Sequence, residues 1–303
     1  MSTAQRTDMA TRGDKMAAPT QIRMIEVDGQ TLRVGVRRGT EEGPPLLIFN
    51  GIGANLELVE PFTTALAGVE TVVFDVPGVG GSPTPTLPYR FSGLARLADR
   101  LMIQLGYAGQ VDVLGVSWGG PLAQQFAFQY PQRCRRLILA ATSPGVLMVP
   151  GMLSAMSKLV NPRRYMDPGF LVNIGPELYG GVFRDRPDLL QEHARHIRPP
   201  RGRGYLYQLL ATWGWSSLFW LRLLRQPTLV MAGTDDPVVR LVNGKFLAWL
   251  IPNARLHVVD DGHLFLISRA DDVAPVIKTF LAEDAADAIS APPSIERTHY
   301  DAA

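Results

Sequence analysis

Three polar side chains stand at the ends of apolar runs in an order that suits acyl transfer. The first is Ser117, inside Gly115-Val116-Ser117-Trp118-Gly119 and directly after the run VDVLGV. A G-x-S-x-G pentapeptide arises by chance in roughly one chain in ten of this composition, so its setting decides its meaning. Here it follows a predicted strand and precedes a predicted helix, where a sharp turn holds a serine hydroxyl out at the carboxyl edge of a sheet. Gly115 and Gly119 supply the room that such a turn needs beside the neighbouring strand and helix.

A serine becomes a nucleophile when a base takes its proton and a third group orients that base. On a parallel sheet with this turn the expected chain order is serine, acid, histidine. Thr234-Asp235-Asp236-Pro237 follows the run PTLVMAG, and Asp261-Gly262-His263 follows ARLHVVD, so all three loops face one edge. His263 is read as the base. Side chains of adjacent residues diverge, so only one of Asp235 and Asp236 can meet the imidazole. Asp236 is favoured, with Asp235 holding the turn and the reverse assignment left open. Asp260 and Asp261 read as turn formers.

Acyl transfer also needs backbone donors for the developing oxyanion. The run LLIFN leads into Gly51-Ile52-Gly53-Ala54-Asn55, a glycine turn from which the Ile52 N–H can point into the site. The second donor is the Trp118 N–H, at a helix N-terminus where the dipole also favours negative charge. Of the other histidines, His257 lies in a predicted strand, His299 in the C-terminal tail, and His193 and His196 sit three apart, as on a polar helix face. No Cys or His cluster completes a metal site, and neither a metal nor an organic cofactor is expected.

The elements that must position these residues are legible as alternating runs. QIRMIEVDG and QTLRVGVRR read as a hairpin around Asp28-Gly29, followed by strands at 46, 71, 111, 136, 227 and 254. Several are near-continuous Val, Leu and Ile, which suits central parallel strands covered on both faces. Helical spacing appears in FSGLARLADRLMIQLG, GPLAQQFAFQY, VNGKFLAWL and DDVAPVIKTFLAE. The pattern is a mostly parallel, doubly wound α/β sheet.

The alternation breaks between about 144 and 226, where short helix-like pieces rich in Pro, Gly and Arg take over. The expected organisation is a tail over 1–20, a core over 21–143, a helical lid over 144–226, the rest of the core over 227–284, and a tail over 285–303. The stretch YLYQLLATWGWSSLFWLRLL, with Trp213, Trp215 and Trp220, either packs the lid onto the core or offers apolar surface to a substrate.

Composition narrows the classes further. A 46% apolar content over 303 residues supports a large buried core. Thirty Lys and Arg against 28 Asp and Glu give no polyanion-binding signature, so no nucleic-acid partner is expected. The single cysteine, Cys134, excludes an intramolecular disulfide and suits a reducing compartment. No run approaches membrane-spanning length and the N-terminus lacks a secretory apolar stretch, so a cytoplasmic location is expected.

With these residues assembled, the chain resembles the α/β-hydrolase superfamily and, in its wording, the intracellular medium-chain-length poly(3-hydroxyalkanoate) depolymerases. The matching stretches include LLIFNGIGANLELV, FDVPGVGGS, PYRFSGLA, GVSWGGPLAQQFA, LAATSPGVLMVPG, NPRRY, QPTLVMAG, LAWLIPNA and DDGHLFLISRA. They extend from about residue 22 to 283. The resemblance implies a triad of Ser117, Asp236 and His263, oxyanion donors at Ile52 and Trp118, and a lid inserted between the late strands. It implies a polyester granule, or another hydrophobic acyl ester, as partner, and association with storage granules in the cytoplasm. Polyester synthases are similar but carry cysteine at the elbow; serine at 117 favours hydrolysis. A general carboxylesterase and a non-catalytic granule-binding protein are the competing readings.

Overall fold

Nine strands form one sheet in the order β1-β2-β4-β3-β5-β6-β7-β8-β9. The computed structural model describes residues 18–199 and 202–283, and the backbone of 295–298. The strands are β1 Gln21–Val27, β2 Gln30–Arg37, β3 Leu46–Phe49, β4 Thr71–Phe74, β5 Val111–Val116, β6 Cys134–Ala140, β7 Thr228–Gly233, β8 Ala254–Val259 and β9 Ile295–Thr298. β1 and β2 form the antiparallel hairpin, with Asp28 and Gly29 both at positive φ as a tight two-residue turn requires. β2 is antiparallel to β4, and every pairing from β4 through β9 is parallel.

The continuous apolar runs have a simple cause. Successive side chains point to opposite faces, and both faces are covered. Leu47, Phe49, Val113 and Leu139 pack with Phe91, Leu94, Leu122 and Phe126 on one side. Leu46, Ile48, Leu114 and Ile138 pack with Phe62, Phe265, Ile277 and Phe280 on the other. The covering helices include Phe91–Gln104, Gly119–Gln129, Leu241–Leu250 and Ala270–Ala282. Fully burying one Leu or Phe of this kind stabilises by roughly 1.5–3 kcal/mol.

Between β6 and β7 the chain leaves the sheet and builds a run of helices from Leu153–Val160 to Leu221–Leu223. This insertion has a small core of its own, in which Leu171, Leu178, Phe183 and Leu190 meet Val238 and Val239 from the loop after β7. It therefore sits at the carboxyl edge of the strands. One difference from the sequence reading lies at the C-terminus, where a tail was expected over 285–303. Ile295–Thr298 instead adds β9 beside β8, in register from Leu256↔Ile295 to Val259↔Thr298. Four residues are too few to show a period, so only the open edge of β8 gives this segment its conformation. His299 and residues 1–17 lie outside the described residues.

Candidate active site

Ser117 sits between β5 and the helix Gly119–Gln129 with a φ of 52°, a region L-residues rarely adopt. The flanking glycines permit it by close approach. A Cβ on Gly115 would lie 2.4 Å from the Gly119 carbonyl oxygen, and one on Gly119 would lie 2.0 Å from that of Phe49. The turn is pinned by hydrogen bonds from Ser117 N–H to the Ala140 carbonyl (2.9 Å) and from Thr142 Oγ1 to the Ser117 carbonyl (2.7 Å). Cys134 is buried at the far end of β6, and burial pushes its thiol well above the usual range. It is not a second nucleophile.

The structure brings Ser117, His263 and Asp236 together from three loops. His263 Nε2 is 3.0 Å from Ser117 Oγ, and His263 Nδ1 is 2.7 Å from Asp236 Oδ2. A carboxylate only accepts, so Nδ1 carries the proton and Nε2 faces the hydroxyl as an acceptor. Asp236 is fixed in turn by the N–H groups of Val238 and Val239, which donate to its Oδ1 at 2.9 and 2.8 Å. The pair is buried, and such an arrangement can take the proton of Ser117 and steady the imidazolium that results.

Adjacent Asp235 points the other way. It accepts from Arg184 Nε (2.7 Å) and from the Gly181 N–H (2.8 Å), both in the insertion. The Arg184 hydrogen bond holds its carboxyl below the usual range. Asp261 likewise accepts from Val182 N–H (2.8 Å), and Asp260 from Thr234 Oγ1 (2.8 Å). Each of these acids secures a loop, and none reaches the imidazole.

Ile52 occupies a turn closed by the Ala54 N–H donating to the Gly51 carbonyl at 3.2 Å, with Gly53 at a φ of 68°. That angle favours glycine, and a Cβ there would lie 2.3 Å from Cζ of Tyr165. Because the peptide is trans, tying the Gly51 carbonyl back to Ala54 turns the Ile52 N–H the opposite way. Neither Ile52 N–H nor Trp118 N–H has an acceptor among the described residues. Two free donors therefore flank Ser117.

The insertion holds both residues through their other groups or their neighbours. The Tyr165 hydroxyl donates to the Ile52 carbonyl and itself accepts from Arg164 Nη2. Gln208 accepts from the Gly53 N–H through Oε1 (2.7 Å), while its backbone carbonyl accepts from the Trp118 indole N–H (2.9 Å). Tyr179 offers its carbonyl to the His263 N–H at 2.7 Å. Sequence reasoning missed these residues, because nothing local in NPRRY or YLYQLL shows which distant loop it touches.

Ser117 and His263 open into a cavity lined by Leu58, Val59, Leu159, Ile197 and Ile267, with Arg164, Tyr165, Tyr179 and His193 also on its wall. A neighbouring cavity of about 550 Å³ shares Leu58, His193 and Ile267 with it. The expectation that His193 and His196 form a polar helix face fails for His193. It is only 8% exposed, packed against Tyr179 and Phe183, because the insertion folds over it. Burial first, and the charge of Arg164 second, push its imidazole down to about 4. No group of three metal-ligating side chains occurs among the described residues. The expected aromatic surface divides: Trp215 and Trp220 pack against Phe91 and Phe128, whereas Trp213 and Phe219 are 74% and 83% exposed.

The family model for the alpha/beta hydrolase fold matches residues 44–270. The chain belongs to the α/β-hydrolase family. This α/β hydrolase is 53% identical over 278 residues to the poly(3-hydroxyalkanoate) depolymerase of Ectopseudomonas oleovorans, covering 91% of this chain and 98% of that one. It therefore belongs with that depolymerase among the ester hydrolases of the family. It is 26% identical to 3-oxoadipate enol-lactonase 2 of Acinetobacter baylyi over 75% of this chain and 84% of that protein. Among solved structures, the enol-lactonase of Burkholderia xenovorans LB400 superposes with a TM-score of 0.73 at 22% identity, over 86% of this chain and all of that one. At that identity the likeness shows the fold alone. No helix among the described residues is long and apolar enough to cross a membrane.

Proposed function

We propose that this α/β hydrolase cleaves the ester bonds of medium-chain-length poly(3-hydroxyalkanoate) inside the cell, through an acyl-enzyme on Ser117. The observation that carries the reading is the unbroken relay from Asp236 to His263 to Ser117, with distances of 2.7 and 3.0 Å. His263 takes the Ser117 proton as the oxygen attacks the ester carbonyl. The N–H groups of Ile52 and Trp118 receive the oxyanion; losing one such donor costs about 3 kcal/mol in barrier height. His263 then protonates the departing alkoxide, and water activated by the same imidazole releases the acyl group as a 3-hydroxy acid or short oligomer.

The substrate class rests on the 53% identity to a poly(3-hydroxyalkanoate) depolymerase and on the apolar cavity wall, which suits alkyl side chains. The adjoining second cavity gives room for more than one acyl unit. In this reading the helices from 153 to 223 are a lid, and exposed Trp213 and Phe219 are its contact with a water-insoluble granule. The test is direct. Purified protein is incubated with medium-chain and short-chain polyester granules, and products are identified by mass spectrometry. Release of 3-hydroxy acids from the medium-chain polymer supports the reading; turnover of p-nitrophenyl esters with no release from either polymer assigns the site to soluble esters.

A further inference from the structure

The mechanism above gives Arg164 no part in the chemistry, yet this residue is a charge placed at the site. It lies on the short helix Arg163–Met166, is 4% exposed, and lines the same cavity as Ser117 and His263. Its neighbours are neutral. Nη2 donates to the Tyr165 hydroxyl, the guanidinium stacks 4.1 Å from the Tyr165 ring centroid, and the neutral hydroxyls of Tyr179 and Tyr205 are further hydrogen-bond partners. Among the described residues no carboxylate pairs with it, and its buried Nε has no hydrogen-bond partner.

Arg33, a guanidinium buried to a similar degree, is paired instead. At 8% exposure it pairs with Glu57 at 2.7 Å and with Asp75 at 3.2 Å. A buried cation without a counter-ion is costly, and the cost is relieved when an anion arrives. Arg164 also carries the only permanent charge among the described residues that line the cavity. His193, on the same wall, is held neutral in part by Arg164 itself. The cavity is thus apolar with a single positive pole, which fits an amphiphile with one carboxylate.

We propose that Arg164 binds the free carboxylate at the end of a 3-hydroxyacyl chain and so places the last ester bond of the chain at Ser117. The inference rests on the polyester reading. In such a chain the terminal carboxylate carbon is four bonds from the scissile carbonyl carbon, roughly 5 Å when extended. The Tyr165 hydroxyl alone bridges the guanidinium to the Ile52 carbonyl, and the Ile52 N–H belongs to the same turn. Arg164 is then a specificity residue that selects chain ends, and a guanidinium suits the task because its donors match a carboxylate bidentately.

The experiment compares two soluble substrates, the linear dimer of 3-hydroxyoctanoic acid and its methyl ester, which lacks the terminal charge; cleavage of the internal ester is followed by mass spectrometry, so that hydrolysis of the methyl ester is counted apart. The wild-type enzyme is expected to prefer the free acid at least tenfold in kcat/KM, and Arg164→Gln to lose that preference while Arg164→Lys keeps part of it. Octanoate should inhibit p-nitrophenyl ester hydrolysis by the wild type at least tenfold more strongly than octanol does, and Arg164→Gln should abolish the difference. Equal turnover of acid and methyl ester by the wild type overturns the proposal without need of a variant. Equal loss on both dimers in Arg164→Gln also overturns it, leaving Arg164 a brace for Tyr165. If the wild type cleaves neither dimer nor granules, the polyester reading fails, and the octanoate comparison still decides whether Arg164 is a carboxylate site.

Discussion

Ser117 is fixed by its own tight turn at the end of a packed strand, whereas the insertion reaches the same cavity through single hydrogen bonds from separate helices. At the elbow a φ of 52°, two close glycine contacts and a strand packed on both faces leave the hydroxyl one place to be. In the insertion, Tyr165 and Gln208 reach the Ile52 turn across 113 and 155 residues of chain through single hydrogen bonds. The sheet edge is therefore the fixed half of the site and the insertion the adjustable half. Substitutions in the first should remove the reaction, and substitutions in the second should tune it.

The largest effect is expected for Asp236→Asn, which keeps the shape but disturbs the tautomer of His263. It should lower kcat by about 10⁴-fold with little change in KM. Asp235→Asn, next to it, should leave kcat within about twofold, because its partner Arg184 is surface-exposed and such pairs contribute about 0–1 kcal/mol. Steady-state kinetics on a soluble ester separates the two, and equal losses would contradict the division between them.

The second prediction concerns stability in the insertion. His193 is pushed down to about 4 when folded, against an unfolded value near 6.5. Between these values the unfolded chain binds more protons, so stability falls as pH drops through that window, by at most about 3 kcal/mol. Arg164 and His196 are the charged and titratable groups that face it. Melting temperatures from pH 7 to pH 4 should fall less for His193→Gln than for the wild type; parallel curves would remove His193 from the account.

Tyr165→Phe removes only the hydroxyl that holds the Ile52 carbonyl. A misplaced but still present oxyanion donor is worth less than a deleted one, so kcat should fall by about tenfold, short of the 10²–10³ for outright loss, with KM held. Smallest of all, Trp213→Ser combined with Phe219→Ser should leave p-nitrophenyl ester turnover unchanged and lower release from granules a few-fold. An equal loss on both substrates would mean that these exposed rings support the lid rather than meet a surface.

The same division explains what could be read from the chain. Val, Ile and Leu runs announce buried parallel strands because burial on both faces erases alternation, and a serine between glycines at a strand end announces a tight turn. The positions of Ser117, Asp236 and His263 at three strand ends follow from that pattern. Asp236 was favoured over Asp235, but the pattern left the reverse assignment open, since the choice depends on which carboxylate meets Arg184 and which meets the imidazole. Arg164, Tyr165, Gln208 and His193 were illegible as site residues, because their roles arise from contacts between segments far apart in the chain. His193 reads as polar helix surface until Tyr179 and Phe183 are packed on it.

The central claim is that Ser117 is the atom donor to the acyl carbon. Incubation with a fluorophosphonate ester, followed by peptide mass spectrometry, tests it most directly. One adduct per chain on Ser117, with loss of activity in proportion to labelling and no labelling of Ser117→Ala, is the predicted result. An adduct on another residue, or full hydrolytic activity in Ser117→Ala, would contradict it.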